Sequence, residues 1–168
     1  MKRETRLYNV IFPVWLMFLF PQIWLVALPG NLVIDMLVLA VTLRVLGHQN
    51  KLAVVKKLWW KFWLLGFLSD FVGVAVLMPA LFVGMALDVA PGMDWLYDQI
   101  SPVMHNPFLS PVAFLWTLAA VALAGYCIYR FDKKAMASCE LLSGEEKHKI
   151  ALTMAVATAP WLFFIPVY

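Results

Sequence analysis

Apolar residues run along this chain in long stretches broken by short polar segments. Five such stretches stand out, at residues 7–28, 32–46, 59–87, 108–131 and 150–168. They approach or exceed the ~20 residues a helix needs to cross a bilayer, except 32–46, which is short unless 29–31 also lies at membrane depth. The pattern predicts an all-α, polytopic integral membrane protein. It is one transmembrane domain over 1–168 with five transmembrane helices. The breaks are a Pro-Gly-Asn turn at 29–31, a basic loop at 47–58, an outer loop at 88–107 and a charged loop at 132–149. The opening MKRETR followed by an apolar run resembles a signal peptide. The run is too long for one, and no small-residue cleavage site follows, so it is expected to stay as the first spanning helix. Five helices cannot form two equal inverted halves, which disfavours a pseudo-symmetric transporter in one chain.

Charge adds a direction. Lys2, Arg3 and Arg6 precede the first helix. Arg44, Lys51, Lys56, Lys57 and Lys61 surround the second loop, and Arg130, Lys133, Lys134, Lys147 and Lys149 flank the fourth. Together these are all 13 Lys and Arg residues. Basic residues stay on the cytoplasmic side of a membrane. The expectation is therefore a cell-membrane protein with a cytoplasmic N-terminus and an extracytoplasmic C-terminus. Within the charged loop, Ser143 and Glu146 match a capping box and predict a helix start there.

Composition agrees. The chain is 64% hydrophobic and 14% charged, against about half and about a quarter in soluble domains. The net charge of +3 is spread over membrane-flanking loops, so no nucleic-acid partner is expected. The expected partner is the lipid bilayer, with a second copy of the chain or another membrane protein as further candidates. Cys127 and Cys139 have neither CxxC spacing nor a nearby histidine and are expected as free thiols. No cofactor and no metal is expected.

Candidate chemistry sits inside the apolar stretches. A charge at mid-membrane costs at least ~2.5–3.5 kcal/mol, so intramembrane carboxylates are candidate functional sites; Asp35 and Asp70 read either as groups that hold a transported proton or cation or as neutral, hydrogen-bonded aspartates that join helices. On a wheel of 100° per residue, Gly66, Ser69, Asp70, Gly73, Leu77, Ala80 and Gly84 share one face of the 59–87 helix. Leu64, Leu68, Phe71, Ala75 and Phe82 share the other. Small residues allow close helix approach in lipid, so the Asp70 face is expected to meet protein or a wet cavity. The 32–46 stretch carries a matching face of Asn31, Asp35 and Thr42, and Gln22 adds a polar group near Pro21. Asp35 and Asp70 are expected roughly 10 Å apart along the membrane axis, as two stations on one polar path. Ala151, Ala155 and Ala159, four apart, predict a second close-packing face, against the 59–87 helix or a second copy.

The outer loop holds Asp94, Asp98 and His105 and no basic residue. It reads as a cation-attracting mouth or as a plain solvated acidic loop. No GxSxG, HExxH or Walker motif is present, so catalysis is not expected; an outer-face enzyme using Asp94, Asp98 and His105 is the least favoured reading. Two readings lead. One is a small channel or carrier for a proton or small cation, working through Asp70, Asp35, Ser69, Asn31, Thr42 and Gln22. The other is a non-catalytic accessory, immunity or scaffold protein that binds another membrane protein through its small-residue faces.

Overall fold

The computed structural model describes residues 21–167. Over these the chain is helical: α1 (Pro21–Val45), α2 (Lys51–Asp88), α3 (Asp94–Ile100), α4 (Pro111–Ala135) and α5 (Gly144–Ala157). Short 3-10 turns lie at Ser101–Met104, Pro107–Leu109 and Trp161–Phe164. Three helices are long and apolar enough to cross a membrane, over Trp24–Val45, Lys51–Asp88 and Pro111–Ala135. The beginning of the expected first helix, residues 7–20, lies outside the described residues, as do Lys2, Arg3 and Arg6.

Two expected boundaries change. No turn forms at 29–31; α1 runs straight through Pro29, Gly30 and Asn31. Proline removes one N–H from the ladder. A turn would leave several backbone groups without partners in apolar surroundings, which costs more. The end of the first expected helix and the whole of the second are thus one rod. The last stretch, 150–168, does not form one spanning helix either. α5 starts early, at a capping box in which Ser143 and Glu146 exchange hydrogen bonds. It has only 14 residues and ends at Ala157, followed by a break and the Trp161–Phe164 turn. Pro160 supplies no N–H and disfavours the helical conformation of the residue before it.

Indole donors satisfy carbonyls beside the prolines within the long helices. Trp63 Nε1 donates to the Leu28 carbonyl at 2.7 Å, just before Pro29. Trp116 Nε1 donates to the Val76 carbonyl at 2.8 Å, three residues before Pro79.

The helices pack around two apolar clusters. One gathers Val74, Leu77, Ala80, Val103, Ala113, Ala120 and Phe163, with Trp24 and Leu28 against it. The other gathers Leu39, Leu43, Leu58, Phe62, Ile128, Met136, Ile150 and Met154. The second lies at the basic end of the bundle. There the α1–α2 and α4–α5 loops meet: Lys57 Nζ donates to the Ser138 carbonyl at 3.3 Å, and His48 Nδ1 lies 2.9 Å from Glu146 Oε1. The Ser143 backbone N–H and then His48 hold the Glu146 carboxyl below its usual range. All ten Lys and Arg residues of the described chain belong to this end. At the opposite end the chain closes on the 88–107 connection, where the Val167 N–H donates to the His105 carbonyl at 2.7 Å.

Small residues decide the closest approaches. A Cβ on Gly73 would come within 2.7 Å of Phe163 Cε2 and 3.3 Å of the Ala124 Cβ. Asp70, Ser69, Gly73, Leu77, Ala80 and Gly84 are buried, while Leu64, Leu68, Ala75 and Phe82 are exposed. Phe71, expected outward, is instead half-buried, with its ring edge-on to Trp24 at 5.9 Å. Ala151 and Ala155 are buried on α5. That face meets α4 rather than α2, because a Cβ on Gly125 would stand 3.2 Å from the Ala155 carbonyl and 3.8 Å from the Ala159 Cβ. Ala159 contributes from beyond the helix end.

Candidate functional site

Between the two apolar clusters the helices leave a polar gap. On α1, Asn31 and Asp35 fall between Leu28, which packs on one cluster, and Met36, which packs on the other. On α2, Gly66 falls between Phe62 and Phe67, which divide the same way. One turn further, Asp70 faces Asn31, whose Nδ2 donates to Asp70 Oδ2 at 3.0 Å. One turn the other way, a Cβ on Gly66 would sit 3.2 Å from Asp35 Oδ2, so the missing side chain makes room for that carboxyl.

This pairing corrects the expected separation. Asn31 meets Asp70 and Asp35 meets Gly66, so the two aspartates are offset by about one helical turn, ~5.4 Å. They line one cavity instead of two distant stations. The expected distance came from treating 32–46 as a separate helix centred in the membrane; the single rod from 21 to 45 shifts its register against α2.

The cavity has a volume of about 400 Å³. Its walls are Asn31, Ile34 and Asp35 of α1, Gly66 and Asp70 of α2, and the stretch from Ala157 to Leu162 with Ile165. The break after α5 therefore forms one wall. Irregular backbone of this kind is tolerated where it lines a cavity that can satisfy its polar groups. The end of α5 also presents the negative pole of a helix dipole. Thr158 turns inward on its own helix, its Oγ1 donating to the Met154 carbonyl at 2.8 Å.

Asp35 is 4% exposed and Asp70 6%. At that burial a side-chain oxygen is expected to have a hydrogen-bond partner. Yet Asp35 Oδ2 and Asp70 Oδ1 have none. The asparagine amide is a donor; the two carboxyls and the helix end are acceptors. Such a lining suits a proton or a small cation and repels anions.

The other expected members do not join. The Ser69 hydroxyl donates to the Leu65 carbonyl at 2.8 Å, and the Thr42 hydroxyl to the Val38 carbonyl at 2.7 Å. Both satisfy their own helix, a habit of Ser and Thr in helices. Gln22 is exposed on α1. At the acidic end, Asp94 and Asp98 are exposed on α3 and His105 is half-buried. Burial lowers the His105 imidazole pKa, partly offset by a backbone hydrogen bond with Ser101. No three His, Cys, Asp or Glu residues among those described converge as metal ligands would. Cys127 and Cys139 are free, half-buried and buried respectively.

The charged loop expected at 132–149 starts later than its sequence suggests, because α4 continues to Ala135 and buries Asp132. It is 1% exposed, and neither carboxyl oxygen has a partner. A signal existed: Ala120, Ala124, Ile128 and Asp132 recur every four residues, and all are buried. The adjacent Lys133 and Lys134 masked it by giving the segment the look of a loop.

No protein-family model matches the chain, and no curated protein or solved structure does either.

Proposed function

We propose that the chain is a small cell-membrane channel or carrier for a proton or small cation, with Asp70 and Asp35 as the binding groups. The observation that carries this reading is the cavity itself. Two buried carboxyls with unpartnered oxygens face a space of about 400 Å³ walled partly by a broken helix. A purely structural aspartate would be expected to satisfy both oxygens against a neighbouring helix. Asn31 holds Asp70 by one oxygen and leaves the other free for the transported species.

The orientation that goes with this reading places the basic end in the cytoplasm, by the positive-inside rule. The test is flux into proteoliposomes from purified protein. Wild type is expected to conduct protons or a small cation. Asp70→Asn keeps the shape and the contact with Asn31 but cannot bind and release a proton, and it should lower flux at least tenfold in a folded protein. Wild type inactive towards protons, Na⁺ and K⁺ would reject transport and favour an accessory protein that binds another membrane protein through its small-residue faces.

A further inference from the structure

We propose that the groove between α4 and α5 is a site for one anionic glycerophospholipid, with an acyl chain along the groove and the headgroup phosphate held at Tyr129, His148 and Lys133. This inference needs only that the long helices cross a membrane, and it is independent of the transport reading above.

The groove has a volume of about 430 Å³ and shares only Ala159 and Trp161 with the lining of the polar cavity. Its buried floor is made by small residues. At Gly125 the two helices approach so closely that an added Cβ would stand 3.2 Å from the Ala155 carbonyl. Leu118, Leu152 and Val156 line the groove and stay exposed, so among the described residues no side chain covers them.

The length of the groove fits one leaflet of a bilayer. From Leu118 to Tyr129, α4 advances roughly 16 Å at a rise of ~1.5 Å per residue. Half of the ~30 Å hydrocarbon core is about 15 Å. Leu118 stands near the middle of the 108–131 apolar stretch, and Tyr129 near its basic end. Trp161 borders the deep end, and its Nε1 is already used, donating to the Val156 carbonyl at 2.8 Å. An acyl chain therefore meets apolar surface from mid-membrane to the headgroup level.

The shallow end is polar and basic. Tyr129 and His148 both line it, their rings edge-on at 5.8 Å, with the tyrosine hydroxyl 3.0 Å from His148 Nδ1. Lys133 Nζ donates to the same hydroxyl at 3.2 Å. Lysine can only donate, so the hydroxyl gives its own hydrogen to Nδ1 of a neutral ring, and the Nε2–H of that ring is left to donate outward. Two hydrogens of the Lys133 ammonium are left as well. Arg130 adds a further positive charge, its guanidinium 6.0 Å from the centre of the Tyr126 ring, which also lines the groove. The neighbouring carboxyls do not oppose it: Glu145 is held by Lys149 at 2.6 Å, and Asp132 is buried. Converging N–H donors with positive charge suit a phosphate. A zwitterionic headgroup would bring an ammonium that Lys133 and Arg130 repel, whereas an anionic one does not. Basic pockets between spanning helices on the cytoplasmic side bind headgroups of that kind.

The experiment is native mass spectrometry of the delipidated full chain in detergent, titrated with phosphatidylglycerol or with phosphatidylcholine of the same acyl chains. Wild type is expected to hold one phosphatidylglycerol per chain, at a concentration about tenfold below that needed for phosphatidylcholine. Lys133→Ala with His148→Ala should remove that preference. Lys56→Ala with Lys134→Ala takes away at least as much charge at exposed positions that do not line the groove, and should keep it. Ala122→Phe fills the groove from an exposed position and should weaken binding of both lipids about tenfold. Each variant is first shown folded by size-exclusion chromatography, and Ala122→Leu replaces Ala122→Phe if the larger ring prevents folding. Glycerol phosphate, a headgroup without chains, should not displace the bound lipid. Displacement by it at equal concentration would show a plain anion site and overturn the part given to the groove. Equal binding of the two lipids by wild type, or an equal loss of preference in the Lys56 and Lys134 control, overturns the headgroup assignment. A wild type that retains neither lipid overturns the proposal outright. So does a wild-type dimer that Ala122→Phe dissociates, because a second copy would then fill the groove.

Discussion

At the residue scale the decisive contact is the bond from Asn31 Nδ2 to Asp70 Oδ2, 3.0 Å long. With Asp70 6% exposed and its other oxygen unpartnered, this asparagine supplies the donor seen at that carboxyl. Asn31→Leu leaves a buried polar group wholly unsatisfied, a loss of about 1–3 kcal/mol. Gln22→Leu is the matched control, because Gln22 is exposed on the same helix. Surface substitutions of that kind stay within about 0.5 kcal/mol. Thermal unfolding in detergent should separate the two variants clearly. Equal melting temperatures for both would mean that Asn31 does not support Asp70.

At the element scale, close packing depends on where a side chain is missing. α2 approaches the Trp161–Phe164 turn and α4 so closely at Gly73 that an added Cβ meets the Phe163 ring at 2.7 Å. A ring can turn aside for one carbon, but a leucine adds three more against the Ala124 Cβ at 3.3 Å. Overpacking of this kind costs about 1–3 kcal/mol. Because Phe163 belongs to the segment that follows the cavity wall, displacing it should also disturb the cavity. Gly73→Leu is therefore expected to lower both the yield of folded protein and its melting temperature. Ala75→Leu, on the exposed face of α2, should leave both unchanged. Indistinguishable behaviour of the two would show that the packed face of α2 is assigned wrongly.

At the scale of the whole molecule, the two ends of the bundle differ in charge. The basic end is tied together by the contacts of Lys57 with Ser138 and of His48 with Glu146. The other end is acidic, with Asp88, Asp94 and Asp98 exposed. The positive-inside rule then predicts opposite sides of a membrane for the two. Single cysteines placed at Gly47 and Gly92, in a background with Cys127 and Cys139 replaced, test this in intact cells. Both glycines have open space around them, although their positive φ of 69° and 79° makes any side chain slightly strained. A membrane-impermeant maleimide should label the cysteine at position 92 from outside and reach the one at position 47 only after lysis. Labelling of both from outside would sink the assignment of sides.

Hydrophobic run length alone determined that this chain is helical and carries helices able to cross a membrane, because the number of consecutive apolar residues is a local property. The inner face of α2 was legible for the same reason: a period of 3.6 places Asp70, Gly73, Leu77, Ala80 and Gly84 together whatever surrounds them. The capping box at Ser143 also needs only four neighbouring residues. Other features depended on contacts between distant parts of the chain. The continuity of α1 through Pro29 turns on the absence of any better partner for its backbone. The register that brings Asp35 and Asp70 to one cavity is set by α1 against α2. The break after Ala157 lines that cavity because α5 packs on α4 at Gly125. Asp132 stands out only because α4, packed against its neighbours, carries its buried face one turn beyond Ile128. Local pattern fixes which face of a helix avoids water; which groups then face one another, and which are left without partners, is decided by the packing of whole helices.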